Sequence, residues 1–228
     1  MSGVPLHLAI IPDGNRRWAR SNGLAASMGH RKAGSREHMK ELLEESRRLG
    51  IRYISFWGLS PENWKRDKKE IDSLFDIILE SVEFLRSECE KNKIRFRHIG
   101  RKDRIPKKLA DELRKLEEKT AGNEEFNIQL CLDYGGRDEI VRAVNKAVKE
   151  GKEVDEESFK KFLDTADIPD PDLIVRTSVE KRLSGYFAYQ GTYAELYFTG
   201  VHFPDFRGKD LRKAVEEYKK RKRTFGGN

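Results

Sequence analysis

The stretch His7-Leu8-Ala9-Ile10-Ile11-Pro12-Asp13-Gly14-Asn15-Arg16-Arg17-Trp18-Ala19 empties an apolar run into an acid, a glycine, an amide and two arginines. Those residue types suit a diphosphate. Gly14 lets backbone N–H groups approach an anion, Arg16 and Arg17 offer guanidinium forks, and Asp13 is a hard oxygen ligand that could share Mg²⁺ with phosphate oxygens. Asp-Gly-Asn is also a common turn sequence, so these residues alone leave a plain β-turn open. Related chemistry recurs at Gly58-Leu59-Ser60-Pro61-Glu62-Asn63-Trp64-Lys65-Arg66, at Asp133-Tyr134-Gly135-Gly136-Arg137 and from Arg176 through Arg182 to Ser184. His30, in Met28-Gly29-His30-Arg31-Lys32-Ala33-Gly34, is expected where a helix begins, a place that favours an anion; a lone histidine is as readily structural. There is no GxxxxGK[ST] loop, no GxGxxG turn and no GxSxG elbow, which disfavours an ordinary kinase, dehydrogenase or serine hydrolase.

The elements that must position these residues alternate. Strands are predicted at Leu6–Ile11, Arg52–Trp57, Ile94–Ile99, Phe126–Leu132, Leu173–Arg176 and Ala194–Phe198. Helices are predicted at about Gly34–Leu49, Glu70–Lys91, Pro106–Thr120, Arg137–Glu150, Glu156–Asp164 and Lys209–Arg223. The order implies an α/β fold with a central, mostly parallel six-stranded sheet flanked by helices, in one domain spanning residues 1–228. In such sheets ligands collect beyond the carboxyl ends of the strands, and four of the polar loops follow predicted strands, so they are expected to converge on one rim. Ile71, Leu74, Phe75, Ile78, Val82 and Leu85 recur at spacings of three and four, one apolar face that reads as core. A net charge of +7 favours anionic partners without choosing among diphosphates, nucleic acid and a membrane surface. Cys89 and Cys131 lack metal-ligand spacing, no apolar stretch approaches the roughly 20 residues of a membrane span, and no secretory pattern opens the chain. The expectation is cytoplasmic, with any membrane contact peripheral. The tail from Lys219 to Asn228 is basic and then glycine-rich, a frayed end or an arm.

Taken together, His7 to Ala19, Gly29-His30 with Gly34, Ser60 to Arg66 with Glu70, Tyr134-Gly135-Gly136-Arg137, Asp172 to Ser184, and Tyr193 to Thr199 running on to Pro204-Asp205-Phe206 resemble the cis-prenyltransferases. These are the Z-type isoprenyl diphosphate synthases, of which undecaprenyl diphosphate synthase is the best-known type. The resemblance covers nearly the whole chain. It implies a homodimer with an apolar tunnel, and condensation of isopentenyl diphosphate with an allylic prenyl diphosphate to a Z-configured polyprenyl diphosphate, with pyrophosphate released. By the same resemblance Asp13 would bind Mg²⁺, with Glu195 as a second acid tied to the metal. Gly14, Asn15, Arg16, Arg17 and Trp18 would hold the allylic diphosphate, and Arg176, Arg182 and Ser184 the isopentenyl diphosphate. His30, Ser60, Asn63 and Arg66 would orient the leaving group or assist proton removal. The apolar helix face would line the tunnel. Nucleic acid is not an expected partner.

Several residues depart from the pattern. Ala26 stands where the family usually carries arginine, Arg176-Thr177-Ser178-Val179-Glu180 replaces Arg-Thr-Gly-Gly-Glu, and Asp133 replaces an asparagine. Val179 would resist a positive φ if the loop required one there, and Asp133 adds negative charge to a site meant for anions. Arg20 or Arg31 could supply the missing cation. These departures keep a second reading open, the non-head-to-tail joining of short allylic diphosphates on the same scaffold. A non-catalytic subunit or basic binding protein is the third.

Overall fold

The computed structural model describes residues 3–222. Six strands form one sheet: β1 (His7–Ile11), β2 (Tyr53–Trp57), β3 (Ile94–Ile99), β4 (Phe126–Cys131), β5 (Leu173–Arg176) and β6 (Glu195–Phe198), in the order β3-β4-β2-β1-β5-β6. All pairings are parallel, so the expected mostly parallel sheet is parallel throughout. Parallel strands need crossovers, and helices supply them. Among the described residues these are α1 (Asn15–Ser21), α2 (Ala26–Ala33), α3 (Arg36–Arg48), α4 (Lys68–Asn92), α5 (Lys107–Thr120), α6 (Gly136–Lys149), α7 (Glu156–Phe159) and α8 (Gly208–Lys220).

The central strand β1 is buried along its length, as its unbroken apolar run requires of a strand covered on both faces. One side of the sheet builds the larger core from Leu8, Ile10, Ile54, Phe56, Phe96 and Ile128 with α3, α4, α5 and α8. The other side packs Ala9, Ile11, Ile99 and Ile174 against Tyr134, Tyr186 and Phe187. α3 opens on Ser35, whose side chain accepts from the His38 N–H, and α4 opens on Asp67, which accepts from the Lys69 N–H.

Two short helices differ from expectation. Residues Asn15–Ser21 and Ala26–Ala33 are α1 and α2, joined by a tight turn at Asn22 and Gly23. His30 therefore lies in the last turn of α2 rather than at a helix start, and the expected helix-end anion site is not what it offers. The predicted helix Glu156–Asp164 stops early as α7 and continues as a 3₁₀ turn, Lys160–Phe162, because Leu163 turns extended. Arg223 and the rest of the tail lie outside the described residues. Among the described residues no helix is long and apolar enough to cross a membrane.

Candidate active site

β1 and β5 end side by side, Ile11 level with Arg176, and the loops that follow are sewn together by Thr177. Its hydroxyl accepts from the Asp13 N–H at 2.8 Å and donates to the Asp13 carbonyl at 2.7 Å, while the Phe203 N–H donates to that same carbonyl at 3.0 Å. The turn is thus rigid before any ligand arrives. Gly14 has φ 98°, and a Cβ there would stand 2.6 Å from His202 Nδ1 and 2.9 Å from Ser178 Cβ, so conformation and space both demand glycine. Gly29 plays a packing part: a Cβ would meet the Asn15 carbonyl oxygen at 2.0 Å, and this close approach sets α2, and His30 with it, against the start of α1.

Asp13 is pinned at both oxygens, Oδ1 accepting from the Gly14 N–H at 2.6 Å and Oδ2 from Arg176 Nη2 at 2.9 Å. Arg176, whose side chain is 8% exposed, also donates to Ser184 Oγ at 3.0 Å and to the Arg182 carbonyl. Around the rim, Glu70 at the start of α4 gathers Arg66 at 3.3 Å, His30 Nε2 at 3.6 Å and Arg16 at 3.7 Å. Burial pushes the His30 pKa below its usual value, with Arg66 and Arg16 acting in the same direction and Glu70 opposing. Burial thus favours the neutral ring. The Ser60 N–H donates to Asn63 Oδ1 at 3.3 Å, holding the 3₁₀ turn Pro61–Lys65 over the same opening.

These residues surround a cavity of about 740 Å³. Its polar lining comes from Asp13, Gly14, Asn15, Arg16, Arg17, Arg20, His30, Ser60, Asn63, Arg66, Arg176 and Ser184, and its apolar lining includes Met39, Phe56, Leu74, Ile78, Phe84 and Leu85. The apolar face of α4 is divided: Leu74, Ile78 and Leu85 line the cavity, while Ile71, Phe75 and Val82 belong to the core. Among the described residues, buried side-chain atoms with no hydrogen-bond partner are Asn15 Oδ1, His30 Nε2, Arg176 Nε and Gln129 Nε2. Three of these four belong to cavity residues. Leaving a buried polar atom unmatched costs about 1–3 kcal/mol, so their concentration here marks a place built to receive polar ligand atoms.

Three expected site residues stand apart from the cavity lining. Trp18 lies beneath Lys32, whose Nζ is 5.7 Å from the ring centroid. Arg182 is 63% exposed and paired with Glu180, which also accepts from Arg17 Nη2 at 2.6 Å. Glu195 begins β6 level with Leu173, three residues short of Arg176 and so roughly 10 Å back along the strand, and it accepts from Arg221 Nη1 at 2.7 Å. The structure does not bring Asp13 and Glu195 together within one chain, and among the described residues no cluster of three or more histidine, cysteine, aspartate or glutamate side chains could hold a metal. Mg²⁺ takes one or two protein oxygens and completes its shell with phosphate and water, and the cavity lining offers the Asp13 carboxylate and the unpartnered Asn15 Oδ1 as such oxygens.

The fourth loop also departs from expectation. Asp133 is fully buried at φ 49°, accepts from Arg104 Nε at 2.7 Å and Trp64 Nε1 at 2.8 Å, and lies off the cavity lining. Its charge is neutralised there rather than presented to an anion. Tyr134 is likewise buried, its hydroxyl donating to Glu139 at 2.7 Å, so this loop supports the site from behind. In the loop after β5 positive φ falls on Ser178, at 71°, and on Ser184, at 53°, while Val179 is 62% exposed and free of that demand. Arg31 is turned to Glu80 at 2.6 Å, leaving Arg20 as the cation of that pair that reaches the cavity. Sequence reasoning missed Thr177, Glu180, His202 and Arg104, each joined to the site by contacts 20 or more residues away in sequence or by a loop whose path no local pattern discloses.

Residues 11–226 match the family model described as "Putative undecaprenyl diphosphate synthase". An isoprenyl transferase of Fusobacterium nucleatum is 44% identical over 225 residues, 98% of this chain and 96% of that protein. The crystal structure of lavandulyl diphosphate synthase from Lavandula x intermedia, in complex with dimethylallyl diphosphate, superposes with a TM-score of 0.93 at 35% identity, covering 98% of this chain and 99% of that one. A probable undecaprenyl diphosphate synthase from Campylobacter jejuni superposes at 0.83 with 32% identity over the full length of both chains.

Proposed function

The chain belongs to the undecaprenyl diphosphate synthase family and is a prenyltransferase, and from that premise we propose that it joins isopentenyl diphosphate to an allylic prenyl diphosphate, releasing pyrophosphate and leaving a Z double bond. The observation that carries this reading is one cavity whose lining combines cationic and unsatisfied polar groups with apolar walls. Such a shape suits a molecule that is diphosphate at one end and hydrocarbon at the other.

In this reading the allylic diphosphate lies against Asn15, Arg16 and Arg17, with Arg20 and Arg66 near it. These cations stabilise the charge that gathers on the departing pyrophosphate. Asp13 and Asn15 Oδ1 would hold Mg²⁺, which when bound neutralises diphosphate oxygens and eases departure. Arg176, Ser184 and Arg182 take the isopentenyl diphosphate, Arg182 after exchanging Glu180 for the ligand. The apolar walls keep water from the allylic carbon while it carries positive charge. As the new carbon–carbon bond forms, a proton leaves the isopentenyl unit. Neutral His30, with Nε2 unpartnered and Glu70 3.6 Å away to favour the charged ring, is the acceptor this reading assigns. Ser60, Asn63 and Arg66 orient the two head groups. A homodimer, and a peripheral membrane contact through the lipid product, belong to the same proposal and rest on family membership alone.

The test is a split of Michaelis constants. Ser184→Ala raises the constant for isopentenyl diphosphate and Arg16→Ala that for the allylic primer, each leaving the other within about threefold; identical effects on both substrates contradict the two-site arrangement. A second reading, non-head-to-tail joining of two allylic diphosphates, takes its support from the departures at Ala26 and Ser178.

A further inference from the structure

Ser178 occupies an unusual backbone position and makes unusual contacts. Its φ of 71° lies in the left-handed region that glycine adopts without penalty, and yet a side chain is present there. The residue is buried, and its N–H donates to the Val201 carbonyl at 2.7 Å, which ties the loop after β5 to the segment between β6 and the 3₁₀ turn Phe203–Asp205. Strain of this kind persists where the surrounding structure over-determines it, and it justifies asking what the side chain does.

The Ser178 hydroxyl stands between a cation and a ring. Arg17 Nη1 donates to Ser178 Oγ at 2.6 Å, and His202 Nδ1 is 3.0 Å from the same oxygen. A serine hydroxyl has a single hydrogen to give. The oxygen that accepts from Arg17 is thus shared with His202 Nδ1, and the two contacts hold the hydroxyl between the guanidinium and the ring. Gly14 packs against the same Nδ1 edge of the imidazole, and its missing side chain leaves room for the ring and for Ser178. Arg17 is fixed at its second terminal nitrogen as well, donating to Glu180 at 2.6 Å. The guanidinium that begins the cavity mouth is therefore oriented by residues from two other segments, one after β5 and one after β6.

We propose that Ser178 and His202 form a positioning pair that sets the orientation of Arg17 and so tunes the affinity for the allylic diphosphate. The inference rests on the diphosphate reading of the cavity and deepens it. Neither residue touches a reacting atom; both act through Arg17. Among the described residues no hydrogen bond joins Arg17 to Arg176 or Ser184, and its link to Arg182 runs through the shared Glu180, so a change in its orientation falls first on the allylic diphosphate.

The experiment compares Ser178→Ala, Ser178→Gly, His202→Phe, His202→Asn and the double variant Ser178→Gly with His202→Phe in the full chain, measuring both Michaelis constants, kcat and urea stability. Ser178→Ala keeps the backbone demand and loses the hydroxyl, whereas Ser178→Gly loses both the hydroxyl and the strain. The expected result is a rise of about tenfold in the constant for the primer in both, with the constant for isopentenyl diphosphate and kcat within about twofold, and with Ser178→Gly at least as stable as the parent. His202→Phe keeps a ring and removes the nitrogen that contacts Ser178 Oγ, and it matches the serine variants. His202→Asn places an amide, which donates or accepts, where Nδ1 stood and restores the parent value. The double variant is no worse than either single change, the mark of two residues acting through one contact.

Two results would overturn the proposal. One is an unchanged primer constant in Ser178→Ala and His202→Phe while Arg17→Ala raises it, which leaves the diphosphate site intact and removes the pair from it. The other is a loss of stability in Ser178→Gly with both substrate constants rising together, which makes the contact a loop tether. If Arg17→Ala itself leaves the primer constant unchanged, the diphosphate reading fails and the pair fails with it.

Discussion

Asp13 joins the chemistry of the site to its stability, and two substitutions separate them. Asp13→Ala removes the acceptor for Arg176 Nη2 and for the Gly14 N–H. Arg176 is then a nearly buried cation that keeps only Ser184 Oγ and the Arg182 carbonyl. A hydrogen bond involving a charged group contributes about 1.5–3 kcal/mol. Asp13 is 26% exposed, so water replaces part of what is lost, and a net cost of about 2–3 kcal/mol follows. Asp13→Asn retains a carbonyl oxygen for Arg176 and should cost about 1 kcal/mol. Turnover behaves differently. Both variants lose the carboxylate charge, and loss of one electrostatic contributor of this kind slows chemistry by about 10²–10³. Urea denaturation and pyrophosphate release on the same preparations measure the two effects. An Asp13→Asn enzyme that is stable and retains turnover within tenfold of the parent would refute the role of the charge; an Asp13→Ala protein as stable as the parent would refute the energetic account of the ion pair.

Other expectations follow from the same geometry. Arg104→Ala strands the buried Asp133 carboxylate with Trp64 as its remaining side-chain donor and should cost about 2 kcal/mol, discounted for the partial exposure of Arg104; adding Asp133→Asn recovers about half of it, and urea midpoints that fail to recover contradict the pairing. Arg20→Ala should weaken primer binding by about tenfold or more while Arg31→Ala, already engaged by Glu80, leaves it unchanged, as primer titrations would reveal. His7 is buried between Pro169 and Ser55, and burial holds its pKa down to about 4 from 6.5. The unfolded chain takes up this proton first as pH falls, so the contribution is full above pH 6.5 and lost on the way to pH 4, an amount of about 3 kcal/mol. His7→Gln should flatten that part of the stability curve, and an unchanged slope would assign the loss elsewhere.

The strands were legible because their apolar runs are short, continuous and set apart by glycine, proline and polar residues; Ile94–Ile99 and Leu173–Arg176 agree to the residue. α1 and α2 were not, because Asn15-Arg16-Arg17-Trp18 and Ala26 to Ala33 carry too few apolar residues for a helical period, and Gly29 is there for close packing rather than to end a helix. The polar loops after β1, β2 and β5 could be found from their residue types, but which side chains face the cavity depends on partners distant in sequence. Asp133 looked like an added charge until Arg104, 29 residues away, neutralised it. Ser178 looked like a lost glycine until His202, 24 residues away, gave its hydroxyl a use.

The central claim is that the cavity joins an isopentenyl unit to an allylic diphosphate. Its most direct test is incubation of the full chain with Mg²⁺, labelled isopentenyl diphosphate and a panel of allylic primers, with product length, double-bond geometry and pyrophosphate release determined together. The account predicts labelled product with a Z double bond at the new unit and one pyrophosphate per isopentenyl unit added. An unlabelled, branched product assembled from two allylic diphosphates, or no pyrophosphate from any pair, would contradict it.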